Sequence, residues 1–163
     1  MNMDTKTYKT VGDSRCEFHK CIHYEDINGG GRLFGGRLMM WMDEVAGVAA
    51  MRHCGGLVTT AAVDDLQFKK GAGVDDIIVI TAYLTYVGRT SMEVRVDVYV
   101  EERASGRRIP INRAYFTEVC VDRAGVPQPV IYGLDVKTPS EQTEWEGAKK
   151  RIEMRQRRRI EGF

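Results

Sequence analysis

NGGGRLFGGRLMMWMDEVAG, residues 28–47, joins an asparagine and a glycine-rich turn to an apolar helix that carries an acidic pair two turns in. Glycines at 35 and 36 let a ligand come close to the main chain. A helix starting there aims unpaired N–H groups and a positive dipole end into the turn, where a polarised carbonyl or developing oxyanion is stabilised. The helical pattern runs from Gly36 to His53, 18 positions and about 27 Å at the usual rise. Apolar residues occupy nearly all of its faces, which predicts a buried helix. Cys54-Gly55-Gly56 supplies the stop.

Working outward, the period changes from helical to extended. Glu17–His23 predicts a short strand before the turn, and Leu57–Phe68, Ile77–Val87, Ser91–Glu101 and Arg113–Val121 predict four more after the helix. The clearest alternation sets Met92, Val94, Val96, Val98 and Val100 against Glu93, Arg95, Asp97 and Tyr99, one dry face and one wet. Short turns between consecutive strands make the sheet antiparallel, and the long helix must pack on one face of it. The expected class is therefore α+β. Residues 1–14 read as a loose polar arm, 15–137 as the folded domain and 138–163 as a separate basic helical tail. Between Trp145 and Arg159 seven basic residues face two acidic ones, either a solvated charged face or a cationic surface for a phosphorylated ligand.

Composition narrows the function. A net charge of +1 on 163 residues gives no overall pull toward nucleic acid or an anionic membrane, and the glutamates interrupting the tail weaken a nucleic-acid reading further. No apolar run is long enough to span a bilayer, and the N-terminus lacks a signal-peptide core, so a cytoplasmic location is expected. Cys16, Cys21, Cys54 and Cys120 have no CxxC spacing and read as free thiols. On a strand His19, Cys21 and His23 would share a face, yet a mixed half-buried strand is the simpler reading; no metal site is expected.

The glycine cluster fits no phosphate loop: no Lys-Ser or Lys-Thr follows Gly36, and Phe34 breaks G-x-G-x-x-G. Asp43 has Met39, Ala46 and Gly47 as helical neighbours, leaving space beside it for substrate or water; Glu44 has the bulkier Met40, Trp41 and Val48. Each acid either serves chemistry or simply turns to solvent or a salt bridge. Burial would raise the carboxylate pKa and favour a general base near neutral pH. No Ser–His–Asp or Cys–His arrangement is evident, so hydrolysis would rest on a carboxylate, an amide and a helix N-terminus.

Asn28, five residues, Phe34-Gly35-Gly36, six residues, Asp43-Glu44 resembles the active-site signature of hotdog-fold acyl-CoA thioesterases, of the brain acyl-CoA hydrolase and YciA-like group. Val58-Thr59, Phe68-Lys69-Lys70, Gly88-Arg89-Thr90-Ser91 and Ala114-Tyr115-Phe116-Thr117 with Val121-Asp122 agree in order, and the resemblance covers about residues 17–157. It implies a long central helix wrapped by a curved antiparallel sheet. It also implies a homo-oligomer, a dimer as active unit within a trimer of dimers, with Asn28 of one subunit meeting Asp43 of the next.

On that resemblance Asp43 is the general base or a nucleophile, Asn28 orients the water or thioester, and the N–H groups of Gly35 and Gly36 hold the thioester oxygen. Val58, Thr59, Lys70, Gly88, Arg89, Thr90 and Ser91 bind the CoA portion, with no metal, and coenzyme A enters only as part of substrate and product. Two departures stand out: Arg37 where many relatives carry a bulky apolar residue, and Gly71 where proline is common. The implied activity is hydrolysis of fatty acyl-CoA; the alternative is a non-catalytic acyl-CoA-binding or sensing module on the same fold.

Overall fold

A computed structural model describes residues 7–163, in the order β1 (Tyr8–Thr10), α1 (Val11–Ser14), β2 (Cys16–Cys21), α2 (Gly35–Cys54), β3 (Leu57–Asp64), β4 (Ile77–Val87), β5 (Ser91–Glu101), β6 (Arg108–Val121), β7 (Gly133–Asp135) and α3 (Pro139–Glu161). Five strands form one antiparallel sheet in the order β2-β4-β5-β6-β3. One face receives α2. Its Leu38, Trp41, Met42, Val45, Ala46, Ala49 and Ala50 pack with Ile78, Ile80, Leu84, Val94, Val96, Val98 and Phe116. The three buried alanines carry no bulk beyond Cβ, so the helix can lie close to the strands. Gly55, in the left-handed region at φ 70°, closes α2 by donating to the Met51 carbonyl.

The helix is not buried all round as its composition suggested. Met39, Met40, Asp43, Glu44, Val48, Met51 and Arg52 form a stripe that stays exposed. Apolar content gives no direction; only packing shows which face the sheet leaves uncovered.

Part of the expected arm is structured. Residues 1–6 lie outside the described residues, but Tyr8–Thr10 pair in parallel with β7, and a Thr10–Asp13 capping box starts α1. Strand β6 begins at Arg108 rather than Arg113 because Pro110 sits beside a register shift opposite Val98 and Tyr99, where a missing N–H is tolerated. Strand β3 stops at Asp64, short of Phe68, where Asp65 turns to φ 58°.

The basic tail is not separate, and the wet face of β5 is not wet. Helix α3 starts from a Thr138–Glu141 capping box with Pro139 in its first turn, then crosses the outer face of the sheet. Trp145 stacks tilted on Tyr86, ring centroids 4.5 Å apart, and Ala148 is fully buried. Beneath it Glu93 and Asp97 are buried as well. Arg151 grips Glu93 through two nitrogens, Nη2 at 2.7 Å and Nε at 3.1 Å, while its guanidinium lies 3.5 Å from the Tyr115 ring centroid. Arg155 pairs with Asp64 and reaches Glu93 at 3.5 Å; Arg158 pairs with Asp64 at 2.7 Å. Arg95 is shared between Asp97 and Glu144. Arg151, Arg155 and Arg158 thus turn onto carboxylates of the sheet, among them Glu93, which alternation alone assigned to solvent.

One irregularity in β3 decides which side chains meet. Thr60 lies opposite Glu118 and Ala62 opposite Thr117, so Ala61 is an extra residue in the ladder. In a regular strand Thr60 and Asp64 would share a face. With the bulge, Thr60 points to the α2 side and Asp64 to α3.

Candidate active site

The Asn28 turn forms the first half of the site. The Asn28 side-chain oxygen accepts from the Gly30 N–H at 2.9 Å and the Arg32 N–H at 3.3 Å, while its own main chain pairs with Arg32 and Gly31. Its acceptor is therefore engaged, which leaves the amide NH₂ as the working end. Phe34 offers α2 no side-chain cap, so among the described residues the N–H groups of Gly35 and Gly36 open the helix unpaired. The Phe34 ring lies over Gly36: a Cβ there would sit 2.7 Å from it. Asn28, Arg32, Gly35, Phe68, Lys69 and Lys70 line a cavity of about 320 Å³. Arg37 does not enter it. Its guanidinium is 3.4 Å from buried Asp26, which offsets a positive side chain at a positive helix end.

The second half lies further along α2. Eight residues from Gly35, about 12 Å of helix rise, separate Asp43 from the Asn28 turn. Asp43 is exposed within the chain. Its Oδ1 accepts a 2.6 Å hydrogen bond from the Thr60 hydroxyl, and that hydroxyl also lies 3.0 Å from Glu118 Oε1. Glu118 has no exposed surface, and burial pushes its carboxyl up to about 7. Thr60 and Glu118 escaped the sequence reading. Both had a signal: Glu118 shares the parity of Ala114, Phe116 and Cys120, an acid on a dry face, and Thr60 shares that of Val58.

The expected CoA-binding residues divide. Gly88, Thr90 and Ser91 line a cavity of about 470 Å³ on the outer face together with Arg155, Gln156 and Arg159 of α3. Lys70 belongs to the Asn28 cavity instead. Val58, Thr59 and Arg89 line neither; Thr59 is on the far side of β3 from Thr60, opposite Val119, and the Arg89 carbonyl accepts from Val130. His19, Cys21 and His23 do not gather. Among the described residues the one ligand-like group is His23, Glu25 and Asp26, and there Asp26 Oδ2 already accepts the His23 N–H at 3.0 Å, beside Lys20 at 3.9 Å.

A long helix held in a curled antiparallel sheet, with an opening glycine pair and a carboxylate in mid-helix, is the hotdog class of fold. Residues 30–106 match the model of the thioesterase superfamily. An acyl-CoA thioester hydrolase of Bacillus subtilis is 39% identical over 64% of this chain and 61% of its own length. The cytosolic acyl coenzyme A thioester hydrolase of Mus musculus is 34% identical over 88% of this chain, which spans only 33% of that longer protein. A hexameric acyl-CoA thioesterase solved in its apo form superposes with a TM-score of 0.87 at 34% identity, over 93% of this chain and 97% of that one. The Staphylococcus aureus acyl-CoA hydrolase, solved with butyryl coenzyme A and coenzyme A, gives 0.88 at 32%, over 95% and 94%. The chain belongs to the hotdog-fold acyl-CoA thioesterases.

Proposed function

We propose that the protein hydrolyses fatty acyl-CoA to free fatty acid and coenzyme A, with Asp43 as general base. The carrying observation is the Asp43 carboxylate held at 2.6 Å by Thr60 in the middle of an exposed helix stripe that also presents Met39, Met40, Val48 and Met51. Asp43 takes a proton from water, the water oxygen attacks the thioester carbonyl, and the negative charge develops on the carbonyl oxygen. In this reading the Gly35 and Gly36 N–H groups and the Asn28 NH₂ receive that oxygen; one such donor is worth roughly 3 kcal/mol of barrier. Collapse expels the CoA sulfur, which takes the proton back from Asp43. The base, the water and the donors suffice without a metal or cofactor, and coenzyme A enters as part of the substrate.

Asn28 and Asp43 lie in different parts of one chain, so the proposed unit is a dimer. The exposed Met39, Met40, Val48 and Met51 and the edge position of β3 offer a second copy both an apolar stripe and an open sheet edge. The hexameric relative supports a higher assembly. Thr90, Ser91, Arg155 and Arg159 are proposed to receive the CoA phosphates, since arginine forks suit them. Among the solved relatives are Asn28→Ala, Asp43→Ala and Thr60→Ala variants of the Staphylococcus aureus enzyme, and the same three residue types carry those numbers here. The cytosolic mouse relative supports a cytoplasmic setting.

A thiol-release panel from acetyl- to palmitoyl-CoA tests the reading. Hydrolysis is expected in the unaltered protein and a loss of about 10²-fold or more in Asp43→Ala. Binding without thiol release across the panel would make the protein a non-catalytic acyl-CoA module. In heavy-oxygen water a single turnover labels the fatty acid by the general-base route, whereas attack by Asp43 itself would label the enzyme.

A further inference from the structure

Glu118 has no part in the reaction as described, yet it is fully buried and lies at hydrogen-bond distance behind the base. A threonine hydroxyl has one proton. Thr60 Oγ1 cannot donate it to Asp43 at 2.6 Å and to Glu118 at 3.0 Å together. The two short contacts are both satisfied only when one carboxyl is protonated and donates to the threonine oxygen. The surroundings of Glu118 select it for that role. Across β3 it faces Thr60, across β5 Met92, from α2 Asp43, and on its own strand Phe116 and Cys120 share its face. Asp43, the one charged group acting on it, is of like sign, and no lysine or arginine among the described residues pairs with it. Glu118 Oε2 has no hydrogen-bond partner among them either. An ionised carboxylate in that setting is both desolvated and repelled; a neutral acid is neither.

We propose that Glu118 is a positioning residue that holds its proton and donates it to Thr60 Oγ1, so that the Thr60 hydroxyl is committed to Asp43 and fixes the carboxylate's orientation. The chain runs Glu118 O–H to Thr60 Oγ1, then Thr60 O–H to Asp43 Oδ1. No proton leaves Glu118 during turnover. Loss of its proton would leave one hydroxyl contested by two carboxylates, and burial places that loss near pH 7. The consequence for catalysis rests on the thioesterase reading; the protonation of Glu118 does not.

Kinetics and infrared spectroscopy test the two parts separately. Glu118→Leu is expected to lower kcat roughly ten- to hundredfold with little change in KM, because Thr60 is freed to rotate. Glu118→Gln is expected to recover most of that loss, since its NH₂ donates to Thr60 as a carboxylic acid would. In the unaltered protein kcat should decline as pH rises through about 7, a limb that Glu118→Gln lacks. Below that pH a carboxylic-acid C=O band should be present in the unaltered protein and absent from Glu118→Gln. The proposal is overturned if that band is missing, if the Gln variant is as impaired as the Leu variant, or if both pH profiles coincide. Should Glu118→Leu fail to fold, the band and the Gln profile still decide. Should no acyl-CoA be hydrolysed at all, the thioesterase reading falls while the band still reports on Glu118.

Discussion

Asn28 and Glu118 show how a single side chain is specialised by its surroundings. Asparagine could donate or accept, but the Gly30 N–H occupies its oxygen and turns it into a donor. Glutamate is ordinarily ionised near neutral pH, but Glu118 is enclosed and faced by a like charge. Its folded pKa of about 7 lies above the ordinary 4.5, so the folded state holds the proton more tightly than the unfolded chain. That contribution to stability is full below 4.5 and is lost as pH rises through 7. Unfolding in urea across that window should show the unaltered protein losing about 3 kcal/mol relative to Glu118→Gln. A constant difference would mean the group titrates normally. Asn28, Asp43 and the glycine pair of the proposed site can be picked out in the sequence because they sit close together along it. Thr60 and Glu118 are 58 residues apart, and only the pairing of β3 with β6 makes them neighbours.

At the scale of elements, the dry side of β5 was plain and the wet side misleading. Alternation reports which residues prefer water, not whether another element covers them. Strands β4 and β5 came out with the expected ends because both are bounded by turn residues and are rich in β-branched and aromatic side chains. Helix α3 was visible as basic, but its role depends on acids in β3 and β5 that it meets only after folding. Glu93 is now buried against Arg151. Removing one member of a buried pair leaves an uncompensated charge, so Arg151→Met should destabilise by about 3 kcal/mol, and adding Glu93→Gln should recover much of it. Denaturation of the two single variants and the double gives the coupling directly. Additive effects would show that the Glu93–Arg151 pair is not a unit.

At the scale of the whole molecule, the two halves of the proposed site can be separated genetically. On the proposed reading, Asn28→Ala and Asp43→Ala should each disable every site of a pure dimer. If the site takes one residue from each copy, a mixed dimer holds one intact site and one doubly altered site. Unfolding and refolding an equal mixture should therefore restore about a quarter of normal thiol release. No recovery above the pure variants would place both residues in one chain's site. The apolar α2 stripe was present in the sequence, but its composition could not say whether the sheet or a second copy covers it.

Ala61 gives β3 a different reading frame on each side of itself. Taking it into the ladder would be more consequential than replacing its side chain, because a strand is read in steps of two. Held to the frame of Asp64, a regular β3 of full length would send the Thr60 hydroxyl away from Asp43 and bring Thr59 under the helix. Held to the frame of Thr60, it would drive the Asp64 carboxylate into the apolar interior and strand Arg155 and Arg158 on the outside. Deleting Ala61 does neither: Thr60 and Asp64 are then three residues apart, and a regular strand keeps both of its sides.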